Sequence, residues 1–365
     1  MRNKQHDNTP RFYEIDLYRF LAAIGVVIFH YTYTAFMEGY APIANFPEIR
    51  EITRYFYMGI NFFFVISGFV IFMSVADGSV KKFLISRFVR LYPAYWAALI
   101  LTSIVTVYFG GAVFSVTWPQ FWANATMVNE AMNYKPIDGA YWTLYIELKF
   151  YLFMLIILAV GAMKHFQHLM ALVLVASTGA LYFPWAANIN MFTAMFPHWS
   201  GYFAAGCIFY LVRRDGVNLY RALLMALAYF YIIKQSTLFG DLMSQWFGIT
   251  FDSTIIALIN SAFFALFMVT SLFKENPLRK AWCYYLGILT YPIYLVHQHL
   301  GYMTFNYFGT ERNIASLVAV TIIVMAIVAW IVHQLIEVKL GKRLSSFLKR
   351  RWLTNTRKTA DYQAG

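Results

Sequence analysis

Arg19 and His30 lie eleven positions apart in the apolar segment LYRFLAAIGVVIFHYTYTAF. Eleven residues make almost three helical turns, so on a helix the two share one face, about 16 Å apart along the axis. An ionisable group inside a membrane span is costly and by default marks function. For His30 the chemistry on offer is that of a general base. The plainer reading is a hydrogen bond between packed helices, and the segment alone weighs the two equally.

The next informative stretch is SRFVRLYPAYW, where Arg87 and Arg90 stand three residues apart on one helix face, at the expected start of a third span. Topogenic charge accounts for most pairs of this kind. The sharper reading is an anion site, because two guanidiniums beside a helix N-terminus suit phosphate. With Arg19 entering from the same side, three arginines converge on one mouth and point to a polyphosphate ligand arriving from the cytosol. In DGAYWTLYIELKFYLF, Glu147 is expected near the outer end of a fourth span. There it orients a histidine, binds a sugar hydroxyl or bonds across helices, while Lys149 points away from it. His297 and His299, in LGILTYPIYLVHQHLGY, sit at i and i+2 and do not share a helix face, so no joint metal site is expected. His297 is a second polar group in the cavity or a packed core histidine. Zincin, P-loop, nucleophile-elbow and Gly-rich dinucleotide motifs do not occur.

These groups need a frame, and composition says which. The 365 residues are 60% hydrophobic and 13% charged, with a mean hydropathy of +0.55. Apolar runs recur along nearly the whole chain, so the fold class is an all-α polytopic transmembrane helical bundle. Ten spans are expected, at about 17–37, 55–75, 91–109, 142–163, 168–186, 199–212, 221–239, 253–273, 282–308 and 313–336. With a cytoplasmic N-terminus, 23 of the 29 Lys and Arg fall inside and 4 outside, which places both termini in the cytoplasm. The net charge of +12 is then topogenic and faces anionic lipid; nucleic acid is not an expected partner. Cys207 and Cys283 alone supply neither a disulfide framework nor a thiol metal site. The first apolar run reads as an uncleaved anchor. The loop over 110–141 is rich in aromatic residues, which mark a membrane-interface belt or stack on sugar rings, the belt being the safer reading. The stretch Lys339–Arg351 is an amphipathic helix on the inner leaflet or a solvated tail.

Taken together, these segments resemble the acyltransferase-3 family, integral membrane O-acyltransferases that decorate bacterial cell-surface sugars. The resemblance runs from about Phe12 to Lys342, with the blocks in the family's order. EIDLYRFLAAIGVVIFH resembles its first-helix Arg and His with ten residues between. NFFFVISGFVI is similar to its Phe-Phe…Ser-Gly-Phe block, carried by Phe62, Phe63, Ser67, Gly68 and Phe69. SRFVRLYPAYW, WTLYIELKFYL and TYPIYLVH resemble three further blocks, and Ile336 and Glu337 fit the Ile-Glu near the end of the last helix. There are departures. Asn61 replaces a common Asp, Lys149 a neutral polar residue, and His299 a frequent Pro.

The resemblance implies one membrane domain over 1–342 and a basic cytoplasmic tail over 343–365, without an extracellular hydrolase-like domain. It implies transfer of an acyl group, acetyl expected, from cytoplasmic acyl-coenzyme A to a hydroxyl of a cell-surface or lipid-linked glycan. His30 and Glu147 are then the catalytic candidates. Arg19, Arg87 and Arg90 face the donor, and His297, Ser67 and Trp142 face the substrate. No metal or permanently bound cofactor is expected; acyl-coenzyme A is a substrate. The implied location is the bacterial cytoplasmic membrane. The alternative from the residues alone is a proton-coupled transporter, since intramembrane His, Glu and Arg mark those as well.

Overall fold

The computed structural model describes residues 11–75, 78–190, 194–273 and 275–353. Arg2, Lys4, Lys274 and the tail beyond 353, which entered the charge and domain expectations, lie outside the described residues. Among those described there are helices and turns and no strand. In chain order the main helices are α1 (Tyr13–Met37), α2 (Pro47–Ser74), α3 (Val80–Phe109), α4 (Trp118–Ala125), α5 (Gly139–Ala159), α6 (Phe166–Ala180) and α7 (Ser200–Asp215). There follow α8 (Leu219–Phe247), α9 (Ser253–Leu272), α10 (Cys283–Val296), α11 (Gln298–Phe308), α12 (Ile314–Val332) and α13 (Gly341–Leu353).

Seven helical stretches are long and apolar enough to cross a membrane: α1, α2, α3, α5, α8, α9 and the run Ile314–Trp352 that includes α12. The expectation of ten spans is met at seven. Phe166–Ala180 and Ser200–Asp215 have 15 and 16 residues, short of the roughly 20 that a span needs. The expected ninth span is interrupted. α10 stops at Val296 and α11 starts at Gln298, with His297 at the junction.

Local chemistry explains the ends that matter. α1 carries Glu14 and Asp16 in its first turn, where carboxylates favour the helix dipole, and Arg11 Nε holds Asp16 at 2.9 Å. Within α1 the residues His30–Thr34 form a π-helical turn. Such turns re-aim side chains and occur often at functional sites. Ser79 caps α3 by accepting from the Lys82 amide. A second π-helical stretch, His333–Leu340, joins α12 to α13. Up to residue 353 the basic tail is therefore helical, and α13 packs along α3.

Among the described residues α2 and α7 make the most extensive helix–helix contact, and each presents a glycine to the other's backbone. A Cβ on Gly68 would strike the Phe203 carbonyl oxygen, and one on Gly206 the Val65 carbonyl oxygen. Small residues facing each other in this way let helices approach where lipid offers no hydrophobic drive. Gly68→Val and Gly206→Val should each force the pair apart and cost about 1–3 kcal/mol. Thermal unfolding in detergent should show a lowered midpoint for both. Gly179→Ala, at a helical position with open space around it, should not lower it.

Candidate functional site

The break between α10 and α11 organises the site. Three carbonyls around it are taken by side chains. Tyr294 O lies 2.9 Å from His297 Nδ1, Leu295 O accepts from the Tyr141 hydroxyl at 3.2 Å, and His297 O accepts from the Tyr31 hydroxyl at 2.7 Å. The fully buried Asp138 closes the other side, accepting from the backbone amides of Ala140 and His299, each at 2.9 Å.

His297 Nε2 in turn lies 2.8 Å from His30 Nδ1, the two rings being nearly parallel. Proton positions follow from the carbonyl at the end of the chain. Tyr294 O can only accept, so His297 Nδ1 carries a proton, and in the uncharged ring Nε2 accepts. His30 Nδ1 must then donate, which leaves His30 Nε2 as a lone pair. That nitrogen has no hydrogen-bond partner among the described residues, and His30 lines a cavity of about 1050 Å³. An oriented imidazole with its free nitrogen toward an open cavity is the arrangement a general base requires.

That cavity occupies the end of the bundle formed by the loops at 38–40, 130–139 and 194 and the end of α8. Trp142, Tyr145, Tyr134 and Trp246 supply aromatic walls; Glu130, Lys149 and Gln298 supply polar ones. Glu130, in the loop before α5, has its carboxyl pushed up to about 7 by burial, against the pull of Lys149.

At the opposite end of the bundle, Arg19, Arg87, Arg90, Ser67, Glu147, Tyr151 and Tyr291 line a smaller cavity of about 120 Å³. A third, narrow one of about 60 Å³ lies between. It shares Arg19, Ser67, Glu147 and Tyr291 with the arginine-lined cavity and Ile60 with the large one. The Arg19 guanidinium makes no hydrogen bond among the described residues. Arg87 donates to Ser86 at 3.1 Å, while its buried Nε has no partner among the described residues. Arg90 pairs with Glu337 at 3.2 Å and leans on the Tyr291 ring; the same carboxylate also holds His333.

The structure thus gathers Arg19, Arg87 and Arg90 at one cavity and puts His30 and Trp142 at another. Four of the sequence-based assignments change. Ser67 lines the arginine-lined and narrow cavities beside Glu147 and not the chamber with His30 and Trp142. Arg87 and Arg90 do not flank a helix N-terminus, because α3 begins at Val80 and they lie two turns or more inside it. Glu147 is not beside His30. It accepts from Tyr151 at 2.6 Å and from Ser67 at 3.5 Å, in the arginine-lined cavity, because α5 turns this face toward α2 and α3. His297 is no wall residue: it is fully buried behind His30 and lines none of these three cavities. Asn61 is an interhelical bond donor, to Ser236 at 3.1 Å. Sequence reasoning passed over Asp138, Gln298 and Glu130. The Asp-Gly step at 138–139 was the one available signal for the first.

Among known proteins, a family model described as an acyltransferase domain (acyltransferase-3) matches residues 12–333. The curated protein "Putative acetyltransferase ORF330" of Acidianus two-tailed virus is 21% identical over 251 residues, covering 68% of this chain and 74% of its own. No solved structure matches.

The relay fixes a measurable tautomer. Solid-state NMR of protein labelled with ¹⁵N-histidine should find uncharged His30 protonated at Nδ1, the rarer form, and His297→Phe should move that proton to Nε2. A wild-type His30 already protonated at Nε2 would contradict the relay.

Proposed function

The chain belongs to the acyltransferase-3 family and is a membrane acyltransferase, and from that premise we propose that it moves an acetyl group from cytoplasmic acetyl-coenzyme A to a glycan hydroxyl on the far side of the bilayer. The transport alternative yields to the family assignment. The observation that carries the reading is the sequence of cavities: arginines at one end, a narrow cavity, or neck, that shares Arg19 with them and Ile60 with a wide aromatic chamber, and His30 in the wall of that chamber.

In this reading both termini are cytoplasmic, and the membrane is the bacterial cytoplasmic membrane. Arg87, Arg90 and Arg19 hold the phosphates through charge-assisted bonds. The neck is too narrow for the nucleotide and suits the thin pantetheine arm, with Ser67 and Glu147 as hydrogen-bond partners along it. The thioester reaches His30 from this side, and the acceptor hydroxyl comes from the chamber lined by Trp142. His30 Nε2 takes the hydroxyl proton as the oxygen attacks the thioester carbon. The tetrahedral adduct collapses, the carbon–sulfur bond breaks, and the thiolate recovers the proton from His30. His297 is a positioning residue, steadying the imidazolium through its Nε2 and the Tyr294 carbonyl. Coenzyme A stays on the cytoplasmic side, so the acyl group alone crosses.

Two classes of variant separate these roles. His30→Ala should lose on the order of 10²–10⁴ in transfer rate yet bind acetyl-coenzyme A as the wild type does. Arg87→Ala and Arg90→Ala should weaken donor binding by about 1.5–3 kcal/mol each, with Lys restoring part of it, because an ammonium lacks the planar fork. Donor affinity by calorimetry and acetyl transfer from labelled acetyl-coenzyme A are the two readouts. Wild-type affinity in both Arg→Ala proteins would remove the donor site from the account.

A further inference from the structure

The wide chamber holds one feature that the transfer chemistry does not use. Gln298 is the first residue after the helix break and lines the chamber together with His30. The residue is 7% exposed, and its Oε1 has no hydrogen-bond partner among the described residues. A buried, unpaired carboxamide oxygen is costly to leave unsatisfied, so it is a group waiting for a ligand.

Its position is held from two sides. The carboxamide nitrogen reaches the Tyr302 hydroxyl at 3.4 Å, and that hydroxyl lies 2.6 Å from Thr34 Oγ1, one turn beyond His30. On the other side the amide lies over Gly139, where a Cβ would stand 2.7 Å from Nε2 and 2.8 Å from Oε1. Gly139 is itself held, its amide donating to His299 Nε2 at 3.2 Å. That bond uses the Nε2 lone pair, so the uncharged His299 ring carries its proton on Nδ1, a buried donor without a partner. Glu130, on the same chamber wall, has an Oε2 equally unpaired among the described residues. Two acceptors and one donor stand unsatisfied in a chamber with aromatic walls. A ring bearing several hydroxyls satisfies both kinds, because each hydroxyl donates and accepts, and its apolar face suits the aromatic side chains.

We propose that Gln298, cradled by Gly139, accepts a hydrogen bond from an acceptor hydroxyl close to the one that His30 activates, so that the enzyme selects polyhydroxylated rings over isolated alcohols. This specificity role rests on the glycan reading above. The acyl transfer itself is unchanged by it.

The test uses inverted membrane vesicles from the producing strain deleted for the gene and complemented with variants of the full chain. Acetyl-coenzyme A labelled in the acetyl group is supplied, and the strain's own unacetylated glycan is the acceptor. Gln298→Met keeps the shape and loses the acceptor atom; Gln298→Glu keeps an oxygen there. Gly139→Ala leaves Gln298 intact and pushes its amide aside. Gln298→Met and Gly139→Ala should raise the apparent KM for glycan about tenfold, the scale of one lost hydrogen bond, with Gln298→Glu closer to wild type. Donor affinity should stay unchanged in all three. Glycan KM at the wild-type value in both Gln298→Met and Gly139→Ala would overturn this inference alone. Label on no glycan even with the wild-type chain would overturn the parent reading, and this one with it.

Discussion

A helix can break inside a membrane protein only where protein groups satisfy the freed backbone, and this bundle meets that demand at His297. Tyr141 and the His297 ring occupy the Leu295 and Tyr294 carbonyls that the break frees, Asp138 occupies the amide of His299, and Tyr31 adds a second bond to the His297 carbonyl, which keeps the Gly301 amide. The arrangement links α1, α5, α10 and α11 at one point. In a continuous helix Tyr294 O would accept from the Gln298 amide; at the break it is left to the His297 ring, whose other nitrogen fixes the tautomer of His30. The site is therefore a by-product of how the break is stabilised, with Gln298 and Gly139 placed by the same contacts.

Charge is partitioned with equal economy. Arg19, Arg87 and Arg90 share their cavity with Glu147, and Glu337 lies behind Arg90. Uncompensated guanidiniums at that depth would be expensive. The carboxylates lower the cost without neutralising the cavity, since Arg19 is left unbonded. Between this charge and His30 stands the neck lined by Ile60, Phe63 and Phe64. On the proposed mechanism it keeps the nucleotide on one side and lets a thioester through to the other.

Much of this was legible in the sequence, and the limits are physical. Arg19 and His30 share a face because helical periodicity is local, and that same rule brought Arg87 and Arg90 together. The partners of His30 were not legible, because His297 is 267 positions away and nothing local marks a contact across the bundle. Glu147 was misplaced for a related reason. Its depth depends on where α5 starts, and Gly139 opens that helix three residues ahead of the expected boundary. The spans at 168–186 and 199–212 were drawn from hydropathy. The helices found there have 15 and 16 residues, and the burial of α7 against α2 through their glycines is a contact that hydropathy does not report.

The central claim is that donor and acceptor meet at His30 from opposite sides of the membrane. Sealed inverted vesicles given acetyl-coenzyme A on the outside alone test it most directly. The account predicts acetylated glycan in the lumen, protected from added esterase until detergent is present, with one free coenzyme A thiol outside for each acetyl group transferred. Acetylated glycan that forms on the outer surface, or only after the vesicles are permeabilised, would contradict it.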